Sequence, residues 1–190
     1  MKYSTIILAA GTSSRLGTPK QLLQFNGDSL LNNAIKAAKQ ANAAETVVVL
    51  GAAAEVLKDE IKDKDVTVLL NTQFTEGMAS SIRCGVQYLE DKTDHILLMV
   101  CDQPHVNAAH LSALLKKHQA TGAKITASFY ADRKGVPALF DKTIFRELLA
   151  LRGDTGAKHI IEKYADAAVV PFPQGVVDID TEEAYRGLTD

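Results

Sequence analysis

The chain has no tryptophan and only two cysteines, Cys84 and Cys101, which do not form a C-x-x-C pair. Neither a disulfide scaffold nor a zinc site is indicated. No run approaches the roughly 18 apolar residues of a membrane-spanning helix. The N-terminal "TIILAAG" is too short for the core of a secretory signal. A cytoplasmic, reducing compartment is the expectation. A dominant charge is missing as well: 21 Lys+Arg stand against 23 Asp+Glu, for a formal net charge of -2. That balance gives no electrostatic reason to expect polymeric nucleic acid or a membrane as partner. A nucleotide needs only a local positive site and stays open. Low-complexity tracts, internal repeats and linkers are also lacking. The 190 residues, 46% of them hydrophobic, are expected to form a single domain over residues 1–190 with a sizeable core.

What is present is an alternation of strands and helices. "STIILAA", "ETVVVLG", "VTVLLN" and "DHILLMVCD" read as strands. The runs VVVL and ILLMV do not alternate, which suits strands covered on both faces. "DSLLNNAIKAAKQA" reads as a helix capped by Asp28 or Ser29. "AAAEVLKDEI", "GMASSIRCGVQYLE" and "NAAHLSALLKKHQ" are further helices. The second half continues with a strand "AKITASFY", a short strand "GVPALF", a helix "DKTIFRELLAL" and a loop entering a helix, "GDTGAKHIIEKYA". "AAVVPF" and "GVVDID" are expected to be short strands, and "TEEAYRGL" a closing helix. The repeated units predict an α/β fold, a three-layer α/β/α sandwich around a mostly parallel sheet. Ligands in such folds lie beyond the C-terminal ends of the strands.

The loop after the first strand, "LAAGTSSRLGTPKQ", is the first candidate site. Gly11 and Gly17 permit a tight backbone, and a glycine-bearing loop after a first strand can hold an anion on its N–H groups. Arg15 and Lys20 add positive charge, and Pro19 restricts the chain just before Lys20. A solvated surface loop is the alternative. The familiar phosphate fingerprints are absent. Thr18 and Pro19 separate Gly17 from Lys20, unlike a P-loop, and no G-x-G-x-x-G occurs.

Carboxylates follow at strand ends. Asp102, in "VCDQPH", either holds Mg²⁺ or caps the turn before Pro104. Asp178 and Asp180, in "VVDIDTEEAY", would share a face if that segment were a strand. Asp180 reads equally as the start of the last helix. His105 is not assigned a general-base role. Gly77 precedes a helix bearing Ser80 and Ser81, whose hydroxyls serve either a nucleobase and ribose or local backbone groups. Gly135 and Pro137 frame a turn that suits the lip of a second substrate site. Asp154, Gly156 and Lys158 belong to a glycine-bearing loop that enters a helix and suits an anion.

Taken in order, these pieces resemble the molybdenum cofactor cytidylyltransferase family, within the wider group of Rossmann-like, MobA-like nucleotidyltransferases. The strongest piece is L-A-A-G-x-S-x-R-x-G-x-x-K, matched by Leu8, Ala9, Ala10, Gly11, Ser13, Arg15, Gly17 and Lys20. "EGMASSIRCG", "CDQP", "KGVPALF", "GDTGA" and "DIDTEEAY" extend it over essentially the full chain. The resemblance implies transfer of CMP from CTP to the molybdopterin form of the cofactor, with release of pyrophosphate. It implies that Leu8 to Gly11, Ser13 and Lys20, with Gly77, Ser80 and Ser81, bind the nucleotide. Arg15, Lys20 and Asp102 would be catalytic. Asp102 and Asp180 would hold Mg²⁺ or Mn²⁺. Gly135, Pro137, Asp154 and Gly156 would face the second substrate. A recipient molybdoenzyme or its maturation chaperone is the implied protein partner. Glu182 stands where relatives carry proline, and Cys101 where they carry small residues; Cys101 is read as a packing residue. GTP-dependent guanylyl transfer, transfer to another small phosphorylated acceptor, and a non-catalytic nucleotide-binding maturation protein are the alternatives. "LAAG" in place of "LAGG" leans toward CTP.

Overall fold

Ile6, Ile7 and Leu8 lie in the first strand, β1 (Tyr3–Ala9), and every residue of that strand is buried. A computed structural model describes residues 1–13, 16–63 and 65–189. After β1 come a two-residue hairpin, β2 (Gln24–Phe25) and β3 (Asp28–Ser29), and helix α1 (Leu30–Gln40). Ser29, not Asp28, caps α1, its hydroxyl accepting from the Asn32 N–H. The chain continues through β4 (Thr46–Leu50), α2 (Ala54–Glu60), β5 (Thr67–Leu70), α3 (Met78–Leu89), β6 (His95–Val100) and α4 (Ala108–Thr121). Then follow β7 (Ile125–Tyr130), β8 (Arg133–Asp141), α5 (Phe145–Ala150), α6 (Lys158–Lys163), β9 (Ala168–Pro171) and α7 (Glu182–Thr189).

Seven strands form one sheet in the order β5-β4-β1-β6-β8-β7-β9. β8 runs antiparallel to both of its neighbours. The pairings of β1 with β4 and β6, of β4 with β5 and of β7 with β9 are parallel. The expected α/β/α sandwich with a mostly parallel sheet is therefore observed. One face packs Ile6, Val47 and Leu98 against Ile82 of α3, Leu148 of α5 and Ile160 of α6. The other packs Ile7, Val48 and Met99 against Ile35 of α1, Leu57 of α2 and Leu111 of α4. Successive strand residues thus feed opposite layers, which is why these runs are apolar without alternation.

Two expectations change. "GVPALF" extends to the nine-residue antiparallel β8. "GVVDID" is not a strand. Its start belongs to a 3₁₀ turn, Pro173–Val176, and the following residues cross the end of the sheet. Within it the Ile179 N–H donates to the Asp102 carbonyl at 3.1 Å. Ile179 is fully buried and anchors the segment. Thr181, not Asp180, caps α7: its hydroxyl accepts from the Ala184 N–H at 3.2 Å. Among the described residues no helix is long and apolar enough to cross a membrane.

Candidate active site

The β1 loop is held from behind by Gln21. This buried amide donates to the carbonyl oxygens of Ala9 at 2.9 Å and Gly11 at 3.2 Å. The Ser13 hydroxyl accepts from the Lys20 N–H at 2.9 Å, so the loop closes on itself. Ser13 at φ +51° and Gly17 at φ +70° supply the left-handed turns. Pro19 then leads into a 3₁₀ turn, Lys20–Leu22. Among the described residues, its chain neighbours aside, a Cβ on Gly11 would meet no atom within 4 Å. The space beside it belongs to the cleft, where a ligand can approach the backbone. Arg15 lies outside the described residues.

Lys20 projects to the end of β6. Its ammonium donates to Asp102, two residues past that strand, and to Asp180 at 2.7 Å. Lys20 and Asp102 are largely buried, with side-chain exposures of 15% and 17%, while Asp180 is 46% exposed. Burial pulls the lysine pKa down. The Asp102 and Asp180 carboxylates more than offset it and hold the ammonium charged well above its usual range. Two carboxylates from distant segments therefore reach one cationic atom. Hard oxygen donors arranged in this way fit Mg²⁺ or Mn²⁺, which commonly take one or two carboxylates and complete their shell with substrate phosphates and water. Among the described residues no group of three or more His, Cys, Asp or Glu side chains is gathered to hold a metal without such help.

Two clefts meet at this pair. The first, about 420 Å³, is lined by Ala10, Gly11, Thr12, Phe74, Gly77 and Ser81, with Cys101 in its wall. The second, about 400 Å³, is lined by Tyr130, Arg133, Gly135, Gly156, Lys158 and Asp178. Leu8, Lys20, Met78, Val100, Asp102 and Asp154 line both. Asp178 and Asp180 border the second cleft on either side of buried Ile179.

The wall between the clefts is the start of α3. Gly77 has φ +119°, and a Cβ there would lie 2.6 Å from the Gly153 carbonyl oxygen and 2.7 Å from the Asp154 nitrogen. Both backbone conformation and space require glycine. The Gly153 carbonyl accepts from the Ala79 N–H at 3.1 Å, and the Asp154 carboxylate from the Met78 N–H at 3.4 Å. The glycine-bearing loop before α6 thus caps α3. Glu76 and Arg83 fasten this junction. The guanidinium grips both carboxylate oxygens and the Leu151 carbonyl, while Glu76 also accepts from the Gly153 N–H at 3.1 Å. The Arg83 bonds, then the Gly153 N–H, lower the Glu76 pKa to about 2.

Three expected site residues stand behind the clefts rather than in them. Ser80 is buried, its hydroxyl donating to the Gly77 carbonyl and accepting from Asn71, 2.8 Å each. Pro137 is packed in β8 with its carbonyl accepting from the Ser128 hydroxyl at 2.7 Å. Ser13 braces the loop, as described. Cys101 is buried, and desolvation pushes its thiol up to about 12, so it stays protonated and packs. Sequence reasoning missed Gln21, Glu76 and Arg83. Gln21 carries no pattern. Glu76 and Arg83, opposite in charge and on either side of the α3 start, did offer a signal.

Residues 5–168 match the MobA-like NTP transferase domain. Nicotine blue oxidoreductase of Paenarthrobacter nicotinovorans is 29% identical over 96% of this chain and 95% of its own. The crystal structure of Rv0371c from Mycobacterium tuberculosis has a TM-score of 0.86 at 30% identity, covering 99% of this chain and 97% of that one. A complex of Rv0371C with manganese has a TM-score of 0.81 at 28% identity, covering 99% and 98%. With the matched region running from β1 into β9, the chain belongs to the MobA-like NTP transferase family.

Proposed function

We propose that the chain transfers a nucleotidyl group from a nucleoside triphosphate to a phosphorylated small molecule. The observation that carries this reading is the shared border: Lys20 and Asp102 line both clefts at once. A triphosphate in the first cleft and an acceptor phosphate in the second would meet there. An acceptor phosphate oxygen forms a bond to the α-phosphorus. The bond from that phosphorus to the bridging oxygen breaks, and pyrophosphate leaves with the electron pair. The nucleophile is already an anion, so the site needs no general base. Positioning and charge neutralisation carry the rate.

The residues divide the work. The open backbone at Gly11 lets the triphosphate approach, and Gln21 keeps the loop in shape. Lys20 offers its ammonium to phosphate oxygens. Asp102 and Asp180 would hold a divalent cation. Such an ion, when bound, supplies Lewis-acid polarisation of the phosphates. Arg133 and Lys158 give the second cleft a positive rim for an anionic acceptor.

The finer reading is CMP transfer from CTP to molybdopterin, with a molybdoenzyme or its chaperone as recipient of the product. It rests on the motif resemblance. The family match and the relatives support the broader reading better, with base and acceptor left open and GTP an equal candidate. The purified protein should be incubated with Mg²⁺, each nucleoside triphosphate in turn, and either molybdopterin or a panel of sugar phosphates. Acceptor-dependent pyrophosphate release with a matching dinucleotide or nucleotide-sugar product is expected. No pyrophosphate from any pair overturns the reading.

One relative favours a second reading, because nicotine blue oxidoreductase matches over nearly its full length. Reductase chemistry would place a reduced cofactor in one cleft and an oxidised acceptor in the other. The Lys20, Asp102 and Asp180 set suits phosphates better. Acceptor-dependent consumption of a reduced nicotinamide, without pyrophosphate, would favour the second reading.

A further inference from the structure

We propose that Asp102 and Asp180 hold either the Lys20 ammonium or a divalent cation, never both, so that Lys20 is a built-in cation competing with the metal for these carboxylates. The inference rests on the nucleotidyl-transfer reading and concerns how that site is loaded. Its basis is the contact of one ammonium with both carboxylates that would take the metal. A dication entering between these oxygens would meet the ammonium at contact range, inside a site where Lys20 and Asp102 are largely buried. Solvent screens that repulsion poorly. One cation must leave.

Lys20 has somewhere to go. Its backbone is fixed, by Pro19 on one side and by the Ser13 hydroxyl on its N–H. Its side chain is a flexible stem on the border of both clefts. A triphosphate in the first cleft would present anionic oxygens to it. The exchange then keeps every charge paired: metal on the carboxylates, ammonium on the phosphates. Metal alone strands the ammonium, and nucleotide alone faces carboxylates still holding their lysine. Each ligand therefore helps the other, and the coupling is reciprocal by thermodynamic necessity. Lys20 also holds Asp180, and with it the segment anchored at Ile179, against β6 until loading begins.

The test is Mn²⁺ binding to the full chain without nucleotide, read by electron paramagnetic resonance as loss of the free-ion signal. Wild type, Lys20→Met and Asp102→Asn are compared. Lys20→Met is expected to bind Mn²⁺ about tenfold tighter or more, on the scale of ordinary site-to-site coupling. Asp102→Asn is expected to bind it more weakly than wild type. A Lys20→Met protein that binds no tighter overturns the inference, provided Asp102→Asn has lost affinity. Unchanged affinity in Asp102→Asn removes the metal site itself and sinks the functional reading with it. Should Lys20→Met fail to fold, wild type suffices. Acylation of Lys20, followed by mass spectrometry, should be slow in the free protein and rise over the Mn²⁺ range that saturates the resonance signal. A Lys20 that stays shielded while Mn²⁺ is bound overturns the inference independently.

Discussion

The Arg83 guanidinium holds both carboxylate oxygens of Glu76, at 2.9 and 2.5 Å, across the first two turns of α3. The pair matters because of what each partner touches next. Glu76 takes the Gly153 N–H and Arg83 the Leu151 carbonyl, so two loops are tied at the wall between the clefts. Arg83→Met should lower the melting temperature and weaken nucleotide binding, because Gly77 and Asp154 lose their fixed relation. The pH dependence gives a separate readout. The folded pKa of Glu76 lies near 2, below its ordinary 4.5, so its stabilisation is present above pH 4.5 and lost as pH falls toward 2. Wild type and Arg83→Met should differ most in stability above pH 4.5 and converge as pH falls through that window, so wild type shows the steeper acid slope. Superimposable acid limbs would contradict the pairing.

Gln21→Leu probes the β1 loop. The substitution keeps bulk and removes both donors to the Ala9 and Gly11 carbonyls. Leaving the buried Ala9 carbonyl without this donor costs about 1–3 kcal/mol, while the exposed Gly11 carbonyl can turn to water. The expected result is a lower urea midpoint together with at least tenfold weaker triphosphate binding, a ratio worth about 1.4 kcal/mol. Calorimetric titration with Mg²⁺ and nucleotide measures the second quantity. A destabilised variant with wild-type affinity would show that Gln21 supports the fold and not the cradle.

The layered fold was legible because its core strands carry strong local signals. VVVL and ILLMV feed both layers, and their lack of alternation said so. Asp102 was legible for the same reason: a carboxylate directly after a buried parallel strand must emerge at the ligand edge. "GVVDID" misled because an alternating apolar–acidic run satisfies a period of two without any ladder. Its alternation places Ile179 inside and the aspartates at the cleft, by anchoring on one backbone bond. Ser80 misled because a hydroxyl near a helix start serves local backbone as readily as a ligand, and here Gly77 and Asn71 take it. The contact of Lys20 with Asp180 joins residues 160 positions apart. No local pattern encodes such a distance; only the closing of the sheet brings them together.

His110 makes stability depend on pH in a different range. Its ring lies stacked on Phe172 at 4.0 Å, and Nε2 is 2.7 Å from the Ser128 hydroxyl oxygen. That hydroxyl donates its own hydrogen to the Pro137 carbonyl, so Nε2–H is the donor to Ser128. Burial lowers the His110 pKa from 6.5 to about 4. The unfolded chain takes up the proton first, so stability is full above pH 6.5 and declines as pH falls toward 4. The loss approaches about 3 kcal/mol at most, from 1.36 kcal/mol per unit. Buried His118, also lowered chiefly by desolvation, adds to the same slope. Urea unfolding at several pH values should show a steeper decline in wild type than in His110→Gln. Equal slopes would mean that His110 does not titrate on unfolding.

Asp102→Asn separates a metal-holding carboxylate from a turn cap. Asparagine caps turns as well as aspartate, so a capping role predicts little change. In the structure the Asp102 carboxylate bonds the Lys20 ammonium, and its backbone carbonyl takes the Ile179 N–H. The substitution leaves the second contact and removes the charge from the first. Losing one charged hydrogen bond costs about 1.5–3 kcal/mol, a drop in stability that leaves a folded protein. Turnover should fall by ~100-fold or more, the scale for removing one oriented electrostatic group, and excess Mg²⁺ should restore only part of it. Asp180→Asn should be strongly impaired too. Asp178→Asn is the internal control: its side chain borders the second cleft, and Lys20 bonds Asp180 instead. Turnover against Mg²⁺ concentration, with a thermal melt for each protein, measures all three. Wild-type turnover and metal dependence in Asp102→Asn would end the metal-ligand assignment, whereas impairment of Asp178→Asn with a normal Asp180→Asn would move the second ligand two residues back.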